Sequence, residues 1–196
     1  VADLCQAMLG ENGRLPHLVE LVQRESEGNT FFIVEVMRTL AEEAGRLDQI
    51  GAAVLPTAVF AGGMQQMVQR RLQRITAVYQ PVLQTAAIAG RQIDPHLLAF
   101  LFPQTNLDDW LTHCANAAVL ERPDGGLLWQ FSHDKLREGV LLQLDSTVRQ
   151  QTHLAIAAGL EQCYAAELAP HYTALAHHFG QAGQRAAQIR YLRLAA

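Results

Sequence analysis

The sequence predicts a mainly α-helical protein: a winged-helix domain with one small β-hairpin, preceded by short helices and followed by the helices of an α-solenoid. Apolar residues recur at the i, i+3, i+4, i+7 spacing of helices along most of the chain. Only one stretch reads as strand, turn and strand, and three helical stretches run directly before it.

Pro16 suits a first helical position, and Leu18, Leu21 and Val22 follow on one face of a first helix. Gly28-Asn29 interrupts the pattern. A second helix then carries Ile33, Val36, Met37 and Leu40 on one face and is expected to end near Gly45, which supplies a left-handed cap. From Asp48 to Gly63 the patterning is weakest, and a domain boundary is placed there.

Met64, Met67, Val68, Leu72 and Ile75 trace the next apolar face, with Gln69, Arg70, Gln73 and Arg74 opposite. A further helix is expected from Thr76 to about Ala89. Asp94-Pro95 starts a helix bearing Leu97, Leu98 and Leu101, and Asn106 caps one bearing Leu107, Leu111, Cys114, Ala115 and Ala118. Residues 119–122, the turn-rich 123–126 and residues 127–131 form the hairpin. Three helices followed by a hairpin is winged-helix order. Ser132 is expected to cap a helix carrying Leu136, Val140 and Leu144, and Ser146 opens a longer one reaching about Tyr164. Tyr172, Leu175, Ala176 and Phe179 make another stripe, Gly183 breaks it, and Ala187, Tyr191 and Leu194 begin the next. Paired short helices of this kind open a helical-repeat solenoid.

The composition of the 196 residues, 49% hydrophobic and 17% charged, is that of a chain able to bury a core. The net charge is −4, and the positive charges are arginines plus the single Lys135, without a basic run. Nucleic acid and anionic membrane are therefore disfavoured partners. Cys5, Cys114 and Cys163 are odd in number and widely spaced, which indicates neither a disulfide framework nor a zinc ribbon and fits a reducing, cytoplasmic compartment. No apolar run reaches bilayer length, and the first residues lack the features of a secretion signal. The missing initiator Met and the uncapped last helix lead to the expectation that both ends were cut from a longer protein.

Phosphate binding by a G-x-x-x-x-G-K-S/T loop needs freed backbone amides and a lysine, and the chain has no such loop. No catalytic residue is expected, and the fragment is read as not an enzyme. His133 falls where a helix follows a strand; there it is either a capping-turn histidine or a donor to an anion at the helix end. Residues 27–32, Glu-Gly-Asn-Thr-Phe-Phe, read locally as a cap with an aromatic core anchor. Arg70-Arg71 is either an acidic-ligand contact or, more in keeping with such pairs, a solvated face. His153, His171, His177 and His178 invite a zinc reading. However, His177 and His178 point about 100° apart on a helix and no Cys or carboxylate stands at ligand spacing, so no metal site is expected. Ser132 beside His133 is not a nucleophile arrangement, because sequence adjacency is not triad geometry.

From Leu15 onward, five segments in order resemble the C-terminal half of the ATPase module of STAND-class signalling proteins, a class that includes bacterial regulators joined to adenylate cyclase, protein kinase or LuxR-type output domains. They are ESEGNTFFIVEVMRTLAEEAGRL, LPTAVFAGGMQQMVQRRLQRI, VLQTAAIAGRQIDPHLLAFL, WQFSHDKLREGVLLQLDSTVRQQTHLAIAAGLE and LAHHFGQAGQRAAQIRYLRLA. The resemblance implies a helical lid over residues 1–50, a winged helix over 56–145 and the start of TPR-like repeats over 146–196. It also implies a switch in which the lid and winged helix fold over ADP or ATP held by a P-loop domain of the same chain. In that scheme His133 resembles the MHD-type histidine that meets the ADP phosphate, and Asn29 and Thr30 lie on the adenine side, Thr30 standing where the family has proline. The isolated fragment would need no cofactor; ADP or ATP would belong to the parent protein, and the TPR-like helices would bind a protein partner. A scaffold without a nucleotide role is the alternative. A DNA-binding winged helix is less favoured, since its recognition helix carries Asp108 and Asp109 and its wing offers only Arg122 beside Glu121 and Asp124.

Overall fold

The computed structural model describes residues 1–26, 30–44, 63–123, 126 and 128–196. Among these the chain is mainly helical, with one small two-stranded antiparallel sheet. It divides into two compact units, Val1–Arg70 and Arg71–Ala196.

The first unit is built on α1 (Ala2–Leu9), α2 (Pro16–Ser26) and α3 (Thr30–Ala44). Leu18, Leu21 and Val22 of α2 and Ile33, Val36, Met37 and Leu40 of α3 are all buried, together with Phe32 and Cys5, so both predicted apolar stripes are the core. The spacing explains this: residues three and four apart share a face, and burying each large aliphatic contributes about 1.5–3 kcal/mol. The sequence reading missed α1, although Val1, Leu4, Cys5 and Met8 stand at helical spacing; Cys5 is its sole buried residue, and the others are only partly buried against the same core. Between α1 and α2, a 3-10 turn (Gly10–Arg14) brings Gly13 against the α1 backbone, where any side chain would collide with the Cys5 carbonyl. The expected cap at Gly45 and the boundary at 48–63 fall almost wholly outside the described residues.

Helix α4 (Gly63–Gln73) is followed by a 3-10 turn (Ala77–Tyr79) and α5 (Gln80–Ala89). The helix expected from Thr76 thus begins at Gln80, because Pro81 occupies a first-turn position where its missing N–H costs nothing. Next come α6 (Pro95–Leu101), α7 (Leu107–Asn116), β1 (Leu120–Glu121), β2 (Gln130–Phe131) and α8 (Asp134–Leu142). The predicted caps are present: the Asp94 carboxylate accepts from the Leu97 amide, and the Asn106 side chain accepts from the amides of Asp108 and Asp109.

In the hairpin, Leu120 pairs with Phe131 and Glu121 with Gln130. The sequence did not show a third segment that joins it. The Ile93 amide donates to the Trp129 carbonyl at 2.8 Å, and the Phe131 amide donates to the Arg91 carbonyl at 3.1 Å. Residues 91–93 thereby flank β2 on the side away from β1, in an isolated bridge too short to carry an alternating pattern.

Then α9 (Ser146–Cys163), α10 (Tyr172–Gln181) and α11 (Arg185–Ala195) complete the second unit. Asp145, one residue before α9, accepts from the Val148 amide as its cap. Helix α9 packs on both α5 and α6. One buried cluster accordingly takes Ile88, Leu97 and Leu144 together with Ile156, Leu160, Leu175, Phe179 and Tyr191. No described helix is long and apolar enough to cross a membrane.

Candidate functional site

Helix α7 ends in a Schellman turn, which sets the ground for the site. The Ala118 amide donates to Ala115 and the Val119 amide to the Cys114 carbonyl, while Ala118 takes φ +52°. This left-handed turn presents the Ala118 carbonyl to two donors, Ser132 Oγ at 2.8 Å and an Arg71 guanidinium nitrogen at 2.7 Å. Arg71 is consequently buried and not part of a solvated face, and burial, with Arg74 adding to it, lowers its pKa to about 10. Arg70 remains exposed.

The Ser132 amide donates to the Val119 carbonyl at 3.0 Å, which continues the hairpin by one bond. Both polar groups of Ser132 are thereby committed to the turn, and the cap of α8 passes to the next residue. His133 has extended dihedrals (φ −153°, ψ 145°), and its Nδ1 accepts from the Lys135 amide at 3.1 Å. One expectation is corrected here: Ser132 is not the cap of α8. His133 is the cap, as in the capping-turn alternative, and its ring occupies an amide of the helix start.

This hydrogen bond also assigns the tautomer. Because Nδ1 accepts, the neutral ring carries its proton on Nε2. Burial pushes the His133 pKa below the ordinary imidazole range; Asp134 opposes that shift, and Arg91 and Lys135 reinforce it. The half-buried side chain is flanked by the Arg91–Asp134 ion pair at 3.4 Å and the Lys135–Glu138 pair at 2.7 Å.

Of the other residues assigned to the nucleotide, Asn29 lies outside the described residues, and Thr30 is the exposed first residue of α3. Thr30 belongs to the first unit and His133 to the second.

A second cluster lies between α9 and α10, where the sequence reading expected no site. His153 and His178 are buried, and their Nδ1 atoms are 2.8 Å apart. At that separation one ring donates and the other accepts. Both rings have pKa values below the usual imidazole range, first because of burial and then because of neighbouring rings, with Arg149 adding to the shift at His153. His177, exposed, stands edge-on to both, with ring centroids 5.7 Å from His153 and 5.2 Å from His178. His171 is elsewhere, stacked on Tyr164 at 4.0 Å. A cavity of about 460 Å³ opens beside His153, lined also by Leu144, Ser146, Arg149, Gln150 and Gln181.

Compared with protein families, curated proteins and solved structures, the chain has no match.

Proposed function

We propose that the chain is a non-catalytic regulatory segment of a multidomain signalling ATPase, one that couples the ADP or ATP state of a P-loop domain to an output domain. The observation that carries this reading is the position of His133. It follows the last strand of a run made by α5, the isolated bridge at residues 91–93, α6, α7, β1 and β2, an order that supports a winged-helix reading. There its ring is half-buried beside the start of α8, with Nδ1 accepting from the Lys135 amide, and an imidazole at a helix start after a strand is chemistry that supports a phosphate contact. In this reading Asn29 and Thr30 belong to the lid on the adenine side, and α9 to α11 are TPR-like helices that contact a protein partner.

Two substitutions separate the nucleotide role from the capping role, when this chain follows its P-loop domain. His133→Asn retains a good N-cap acceptor and leaves the melting temperature unchanged, yet removes the imidazole donor. His133→Ala removes both. Each is expected to speed ADP release at least about tenfold, equivalent to about 1.4 kcal/mol. Unchanged release in both variants refutes the reading.

One observation favours a second reading, a helical-repeat scaffold without a nucleotide role: Ile189, Leu192 and Leu194 of α11 are exposed apolar side chains. An upstream sequence without a phosphate-binding loop would decide for it. DNA binding is less favoured, since α7 exposes Asp108 and Asp109, and Arg122 stacks over Trp129 at 4.6 Å on the wing.

A further inference from the structure

We infer that His153, His177 and His178 form a binding site for one divalent cation of the zinc class, held by three imidazole nitrogens and one solvent-derived ligand. One ring nitrogen from each histidine lies within 4.8 Å of those of the other two. The three ring centroids make a nearly equilateral triangle, with sides of 5.1, 5.2 and 5.7 Å. The 100° between His177 and His178 would separate them if both had to meet a ligand on the α10 axis. Instead, His153 reaches across from α9 and stands against both rings, so the triangle closes between two helices.

The geometry lies within small side-chain movements of a tetrahedral site. Zinc–nitrogen bonds of about 2.0–2.1 Å place neighbouring ligand nitrogens about 3.3 Å apart. The His153–His178 pair, at 2.8 Å, has to open slightly, and His177 has to swing inward. His177 is exposed and its ring torsion is soft, so that movement meets little resistance. The donor ring of the pair moves its N–H proton from Nδ1 to Nε2 as the metal takes its lone pair, a tautomer change with no net proton release.

A hydrogen-bonded pair of buried histidines would account for His153 and His178, but it leaves two features unexplained. One is the third imidazole converging on the same point from an exposed position. The other is the cavity that reaches His153, though neither His177 nor His178, and is lined by the polar side chains of Ser146, Gln150 and Gln181. Neutral nitrogen donors without thiolate or carboxylate favour zinc, nickel, copper or cobalt over magnesium or calcium. Arg149, in the same cavity, opposes positive charge at His153, so a bound cation would need an anionic fourth ligand, such as hydroxide, to offset that repulsion. The bound cation would clip α9 to α10 across the first helical pair of the C-terminal segment.

The test uses the whole chain after chelator treatment, titrated with zinc in a calorimeter and with cobalt in a spectrophotometer. One equivalent of zinc is expected to bind, to raise the melting temperature, and to be displaced by magnesium at no concentration that leaves the fold intact. Cobalt is expected to give the intense visible bands of a four-coordinate site. His177→Ala, on an exposed side chain, is expected to leave metal-free melting unchanged and to weaken zinc at least about tenfold. His171→Ala is expected to change nothing. Absence of a one-equivalent transition, octahedral cobalt spectra, or undiminished affinity in His177→Ala would each overturn the site.

Discussion

The Tyr164 hydroxyl donates to one oxygen of the Asp94 carboxylate at 2.7 Å, while the other oxygen caps α6 by accepting from the Leu97 amide at 3.1 Å. A single carboxylate thus joins the end of α9 to the start of α6, and burial together with that hydrogen bond pushes the Tyr164 pKa well up. Tyr164→Phe deletes one hydrogen bond to a charged group and is expected to cost about 1.5–3 kcal/mol. Asp94→Ala removes the cap as well and leaves the phenol without its acceptor, so its loss is expected to be larger. Denaturant melts of the two single variants and the double variant check this. If the tie is real, the double variant loses less than the sum of the singles.

Ala118 holds a left-handed conformation in which an L side chain is strained by about 1–2 kcal/mol, and the carbonyl it presents accepts from both Ser132 and Arg71. Ala118→Gly relieves the strain but gives the unfolded chain more freedom, so a net stabilisation of about 0.5–1 kcal/mol is expected. A shift of the denaturation midpoint to higher denaturant at unchanged slope is the readout. A lower midpoint would show that the alanine methyl contributes packing that outweighs its backbone strain.

His153 and His178 hold their protons less firmly in the folded protein than an unfolded imidazole does. As pH falls through the unfolded value of about 6.5, the unfolded state takes up protons first, and the equilibrium moves toward it. The stability these rings contribute is therefore fully present above about pH 6.5 and is lost as pH falls below it, by up to about 1.4 kcal/mol per pH unit for each group. Metal-free chain, kept with chelator, is expected to lose stability between pH 6.5 and 5, above the range in which ordinary carboxylates titrate. Replacing both residues with Gln is expected to flatten that slope; an equal slope in the double variant would assign the loss to other groups.

Local chemistry alone determined the helical class, the apolar faces of α2 and α3, and the starts of α2, α6 and α7. Each rests on a signal within about two turns of chain: Pro16, Asp94-Pro95 and Asn106 at helix starts, and aliphatic residues at helical spacing. The spacing of Val1, Leu4, Cys5 and Met8 was a legible signal for α1, whereas residues 91–93 left none because a single bridge carries no alternation.

Tertiary structure decided the rest. Ser132 has the chemistry of a cap, yet the turn at Ala118 claims its hydroxyl, so the cap passes to His133 and fixes that ring's tautomer. Arg71 looks solvated in the sequence, but the same carbonyl draws it inward. The helical wheel separates His177 from His178 correctly; it has no place for His153, which arrives from a helix 24 residues earlier, counted from 153 to 177. A periodicity within one helix reports which side chains share a face. Which donors, acceptors and rings come together across helices depends on how the chain folds back on itself, and only the packed structure carries that.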